Sequence, residues 1–144
     1  MQEHHSVDVS AFLASPRGAG LRARLASNEN VLALVPVDLT LDMRFGEGWV
    51  VLTNQRLLAC DPADQEWSEW ALSIDQNLRT LDHGGVGNLE LHGPAARLAL
   101  WRFTLRHQAA VLRLLQQFDH ERERLARGED FAAPEDAVPR CPAC

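Results

Sequence analysis

The sequence predicts an α+β protein that is mainly β: a seven-stranded antiparallel barrel or sandwich closed by a C-terminal amphipathic helix, with two short helices ahead of the strands. Three observations lead there. From Val31 onward, apolar residues recur at every second position. Clusters of Gly, Pro, Asn and Asp then interrupt the chain at short intervals as far as Arg102, the pattern of short strands joined by turns. After Thr104 the apolar period lengthens to that of a helix.

Residues 1–6 are polar and are read as disordered, and the domain is assigned to 7–127. Val9, Phe12 and Leu13, then Leu21 and Leu25, give two short helical stretches within 8–26, separated by Ser15-Pro-Arg-Gly18. The strands are expected within 31–102. Val31, Ala33, Val35, Val37, Leu39 and Leu41 alternate with increasingly polar neighbours, so the first strand should bury one face. Pro36 cannot donate to a ladder, which points to an edge or a bulge. Phe45-Gly-Glu-Gly48 reads as a turn into a second strand, Trp49 to Thr53, and Asn54-Gln55 connects it to a third, Arg56 to Cys60. Trp70, Leu72 and Ile74 alternate in a fourth. Arg79 to Asp82 and Leu89 to Leu91 flank a glycine-rich turn, His83 to Asn88, and Arg97 to Arg102 is the seventh. A helix over 104–127 follows, capped by Thr104, with Leu105, Ala109, Leu112, Leu115 and Phe118 as its apolar stripe. Residues 128–140 form a linker bearing Pro and acids.

All fourteen basic residues are arginine. Without lysine there is no phosphate-binding P-loop and no amine nucleophile. Tyrosine is absent, and no serine stands in a Gly-x-Ser-x-Gly elbow. His83-Gly-Gly85 has no nucleophile to serve and is read as a turn needing positive φ. A non-enzymatic chain is expected. Between Ser27 and Trp101 four arginines face eleven acids, a balance of −7. Nucleic acid and anionic lipid, which need a basic footprint, are therefore disfavoured as ligands. Arg102 to Arg127 carries a balance of +3, with acids interleaved as on a solvated helix face. No stretch approaches the roughly 20 apolar residues of a membrane span, and Met1 to His5 leads into no apolar region, so a cytoplasmic protein is expected.

Seven strands followed by one helix is the order of the pleckstrin-homology-like fold. The run Val51-Leu-Thr-Asn-Gln-Arg-Leu-Leu58 resembles the signature string of bacterial PH-like and GRAM-like domains. Barrel, helix, linker and then Pro139-Arg-Cys-Pro-Ala-Cys144 resemble, over residues 27–144, the cytosolic N-terminal region of certain bacterial ABC exporters. That resemblance implies an accessory or docking module that contacts the rest of its parent transporter or a second copy of itself. The other reading is a free-standing PH-like or GRAM-like adaptor. A second cysteine pair, membrane helices and an ATPase are not in this sequence, so no transport or ATPase residue carries over.

Cys141 and Cys144 are the candidate metal ligands. A zinc C-x-x-C is half of a four-ligand site, so residues 141–144 are expected to open a zinc ribbon completed further along a longer protein, with no metal held by this chain alone. A redox pair would need to open a helix after a strand, and here a Pro-containing linker precedes it. Trp67, in the polar stretch Asp64-Gln-Glu-Trp-Ser68, is the candidate partner contact. Arg56 is expected to pair with a carboxylate or turn carbonyl, and Cys60 to behave as a small hydrophobe.

Overall fold

Asp8 starts the described chain as a helix cap: its Oδ1 accepts from the Ala11 amide at 3.2 Å, and α1 runs Val9–Ala14. The computed structural model describes residues 8–128, so Cys141 and Cys144, the 1–6 terminus and the linker from 129 lie outside the described residues. A 3-10 turn, Pro16–Gly18, leads into α2, Ala19–Arg24. The turn folds back so tightly that a Cβ on Gly18 would stand 2.1 Å from the Phe12 carbonyl oxygen. Only glycine fits there.

Seven strands follow: β1 Val31–Leu39, β2 Phe45–Thr53, β3 Arg56–Cys60, β4 Trp67–Ala71, β5 Asn77–His83, β6 Val86–His92 and β7 Arg97–Thr104. They form one antiparallel sheet in the order β4-β3-β2-β1-β7-β6-β5. The sheet is open, with β4 and β5 at its edges. β1 pairs with β2 along its length but meets β7 only at Leu39↔Arg102. Pro36 thus lies on a strand whose other flank is largely unpaired, where its missing N–H costs least.

Strand boundaries differ from the sequence expectation where polar side chains take over the backbone. The first hairpin turns at Thr40–Arg44, so Phe45-Gly-Glu-Gly48 belongs to β2. β4 begins at Trp67 and stops at Ala71, because Ser73 and Gln76 build a turn: Gln76 Oε1 accepts from the Ser73 amide and Gln76 Nε2 donates to the Ala71 carbonyl. Ile74 is left exposed. The glycine-rich turn shrinks to Gly84-Gly85, both at positive φ, between paired His83 and Val86. That is the two-residue hairpin whose twist matches the strands.

Both faces of the sheet are buried. On one face Val35, Val37, Val50, Leu52, Leu57, Leu89, Leu91, Trp101 and Phe103 pack with α3 (Gln108–Ala126). On the other, Leu34, Trp49, Val51, Leu58 and Cys60 are covered by Phe12 and Leu21 of the N-terminal helices. The one-faced first strand expected from alternation is therefore corrected, because α1 and α2 cover its second face.

The helix stripe is corrected in part: Leu105, Leu115 and Phe118 pack against the core as expected, but Ala109 and Leu112 are exposed. A 3-10 turn, Leu105–His107, precedes α3, and Thr104 makes no side-chain cap. With three residues per turn there instead of 3.6, the apolar phase slips. Ala110, Val111, Leu114 and Phe118 face the core, while Leu112 is 44% exposed. Leu114→Ala should therefore destabilise the protein by about 2–5 kcal/mol, the cost of a cavity at a buried leucine. Leu112→Ala should stay within about 0.5 kcal/mol of the parent. Denaturant melts of the two variants check this, and similar losses at both positions would contradict the packing of α3.

Candidate functional site

The loop after α2 carries Glu29 into the sheet. Its carboxylate is buried and accepts from Arg56 at both oxygens (Nη2 to Oε1 and Nε to Oε2, each 2.8 Å), from Thr53 Oγ1 at 2.6 Å and from the Ala26 amide at 3.0 Å. Arg56 also donates to the Arg24 carbonyl at 2.5 Å and to Glu69. Thr53 and Arg56 thus serve as parts of a clamp on the N-terminal segment. Burial alone would raise the Glu29 carboxyl, but the hydrogen bonds from Arg56, Thr53 and Ala26 prevail and bring it from an ordinary 4.5 to about 2. The Arg56 guanidinium is correspondingly raised, chiefly by its hydrogen bond to Glu29.

The helices cover only part of the outer face. Beyond them lies a groove of about 430 Å³, lined on the strands by Pro36, Asp38 and Gly46–Trp49, and on its two sides by Arg17 and by Arg106 and His107. Arg17 stacks over the Trp49 ring at 5.4 Å and pairs with Glu47. Asp38 holds the far side: Oδ1 accepts from the Thr104 amide at 2.8 Å and Oδ2 from Thr104 Oγ1 at 2.7 Å, with His107 Nε2 3.5 Å away. Burial lowers the His107 pKa below the ordinary histidine value, against the pull of Asp38. Arg106 pairs with none of the described residues.

Next to the groove the β1–β2 turn stands out as a stiff tip. Thr40 closes it, its amide donating to the Arg44 carbonyl at 2.8 Å while its hydroxyl accepts from the Arg44 amide at 2.9 Å. That hydroxyl donates in turn to Asp42 at 2.5 Å. Arg102 Nη1 ties the Leu41 carbonyl at 2.5 Å. Met43 is held at φ 68°, an uncommon conformation for a long side chain. Leu41, Met43 and Phe45 are all exposed, Phe45 by 81%.

Trp67, the expected partner contact, is half-buried instead. It packs against the buried cluster that contains Phe12 and Leu21, and the Arg24 guanidinium lies 5.5 Å over its ring. β4 starts at this residue and turns it under the N-terminal helices. Cys60 is buried, and burial, reinforced by Asp61 and Asp64, raises its thiol pKa, as suits a small hydrophobe. Among the described residues no group of three or more His, Cys, Asp or Glu side chains is placed to hold a metal ion. Sequence reasoning singled out Arg56 but missed Asp38, Arg106, Phe45 and Met43. The one available signal was the apolar–charged alternation Leu41-Asp-Met-Arg-Phe45 inside a turn.

Comparison of the chain with protein-family models, curated proteins and solved structures finds no match.

The clamp sets the acid response. Because the folded Glu29 pKa lies below its unfolded value, its contribution is complete above about pH 4.5 and drains away as pH falls toward 2. Thermal melts should show Glu29→Gln less stable than the parent near neutral pH, with the gap closing below about pH 3. His107 loses stability earlier but equally in both proteins, so the difference isolates Glu29. A gap that persists unchanged in acid would show that the carboxylate charge is not what Arg56 grips.

Proposed function

We propose that this chain is a non-catalytic accessory domain of the pleckstrin-homology-like type that acts by protein contact, as the cytosolic N-terminal docking module of an ABC-type exporter. The element order, seven antiparallel strands and then one helix, agrees with that fold, as does the resemblance of Val51–Leu58 to its signature. The observation that carries the contact function is the tip. A turn fixed by five hydrogen bonds presents Leu41, Met43 and Phe45 to solvent, although the chain had ample apolar core in which to bury them. Rigid apolar anchors lose little conformational entropy on association, and aromatic residues are enriched in interface hot spots. The titratable groups of the adjoining groove are largely engaged with neighbours, Asp38 with Thr104 and Arg17 with Glu47, which suits recognition better than chemistry.

The same exposed apolar residues also favour a second reading, a free-standing PH-like or GRAM-like adaptor whose tip meets a bilayer. The charges at the tip speak against it: Arg44 stands between Asp42 and Glu47, and the middle of the chain is acidic.

A photo-cross-linking residue at position 45 of the natural gene product should yield protein adducts in the cell, and one at position 123 should not. Anionic vesicles at low salt, where screening is weakest, should not co-sediment the protein. Lipid adducts at position 45 together with co-sedimentation would replace docking by the membrane-adaptor reading. Absence of any adduct at position 45 would remove the tip from the interface.

A further inference from the structure

We infer that Met43 is the specificity-determining anchor of the tip, and that it inserts into an apolar pocket of the docked protein. This deepens the docking reading and rests on it. The Thr40 amide donates to the Arg44 carbonyl, which closes a three-residue loop, Leu41 to Met43. The last residue of such a loop commonly has a left-handed backbone, and glycine is the residue that suits it. Here Met43 takes that place at φ 68°. The Cβ of an L-residue crowds the following carbonyl in this conformation, so only glycine, and to a lesser degree asparagine and aspartate, adopt it readily.

Gln65, at φ 60°, has the same kind of backbone among the described residues, and the comparison is instructive. Its Nε2 donates to the Glu47 carbonyl at 2.8 Å, so its side chain ties the β3–β4 turn to β2 and offsets the strain within the fold. Met43 has no such return. Its side chain is 49% exposed and belongs to neither buried cluster. The bonds that hold the loop come from Thr40, the backbone of Arg44 and the Met43 amide, and glycine at position 43 would keep every one of them. A strained residue whose side chain adds nothing to the fold points to a function for that side chain.

The chemistry of the loop says what meets it. Asp42 Oδ2 and Arg44 Nε stand 3.4 Å apart, so the loop's charges match one another and offer a partner no net charge. What is left to recognise is apolar: Met43, with Leu41 and Phe45 exposed beside it. An unbranched thioether side chain adapts to a narrow apolar pocket, and methionine is enriched at protein interfaces. Leu41 and Phe45 then form the rim that keeps water from the anchor. With the backbone already fixed, docking has only side-chain rotors left to order.

The test places three substitutions at position 43 in the natural gene product that carries the photo-cross-linking residue at position 45. Met43→Gly should melt about 2–4 °C above the parent, because relief of the left-handed strain outweighs the entropy that glycine adds to the unfolded chain. It should also cut the yield of protein adducts about ten-fold. Met43→Asn keeps the left-handed turn with a polar side chain, so it should melt no lower than the parent and lose adducts to the same degree. Met43→Leu keeps an apolar side chain and should retain the parent's adducts within about two-fold. A glycine variant that melts below the parent would show that Met43 serves the fold, and loss of adducts in the leucine variant as well would overturn apolar insertion. Parent-like yields in the glycine and asparagine variants would remove Met43 from the contact while docking stands, since position 45 still cross-links. Absence of protein adducts from the parent itself would overturn docking and the anchor together, and lipid adducts that disappear with Met43 would place the anchor in a bilayer instead.

Discussion

The Glu29–Arg56 pair is the contact on which the arrangement depends. A buried carboxylate carries a desolvation cost that only close and complete pairing offsets, and here the guanidinium meets both of its oxygens while Thr53 and Ala26 supply further donors. The pair joins the foot of the N-terminal segment to the hairpin between β2 and β3. Arg56 then reaches back to the Arg24 carbonyl at the end of α2 and across to Glu69 on β4. Neither N-terminal helix exceeds six residues, far below the length at which a helix persists alone in water. Their docking on the sheet is what makes them helices, and the clamp fixes where that docking begins.

Once the helices are pinned there, the fate of the outer sheet face follows. Phe12 and Leu21 reach Trp49, Val51 and Leu58, and the cation–π contacts of Arg17 and Arg24 seal the rim over Trp49 and Trp67. Two short helices cannot span the whole face. The strip along the C-terminal end of β1 and the start of β2 stays open, bounded on its other side by the corner where β7 gives way to α3. Asp38 makes that corner by holding both the amide and the hydroxyl of Thr104. The groove is thus bounded by Arg17 on the side of the N-terminal helices and by the Asp38 corner on the other.

The same geometry explains the sheet's split character. β1 shares its length with β2 but touches β7 at one register position, so the two halves of the sheet diverge and α3 packs into the angle, burying Val111, Leu114 and Phe118. A bulge between Val37 and Leu39 accompanies the divergence, in keeping with the added twist bulges give. The tip with Met43 and Phe45 projects from this bent end.

What the sequence determined by itself was the list and order of elements. Period-two alternation, turn clusters and the later helical period located seven strands and one helix, because each is a local consequence of backbone geometry and burial. The third strand, Arg56–Cys60, emerged with its observed bounds, and Arg56 was read as pairing with a carboxylate or a turn carbonyl. The tertiary structure decided which carboxylate, since Glu29 is 27 residues away in the chain. It also decided which faces were buried: alternation in β1 cannot show that α1 and α2 will cover the second face. The phase of α3 was hidden by a 3-10 turn that leaves no compositional mark, and the exposure of Leu112 followed from it. The candidate site was the least legible part, for Asp38, Glu47, Phe45 and Arg106 look like ordinary surface residues until pairing between distant segments leaves some of them matched and others free.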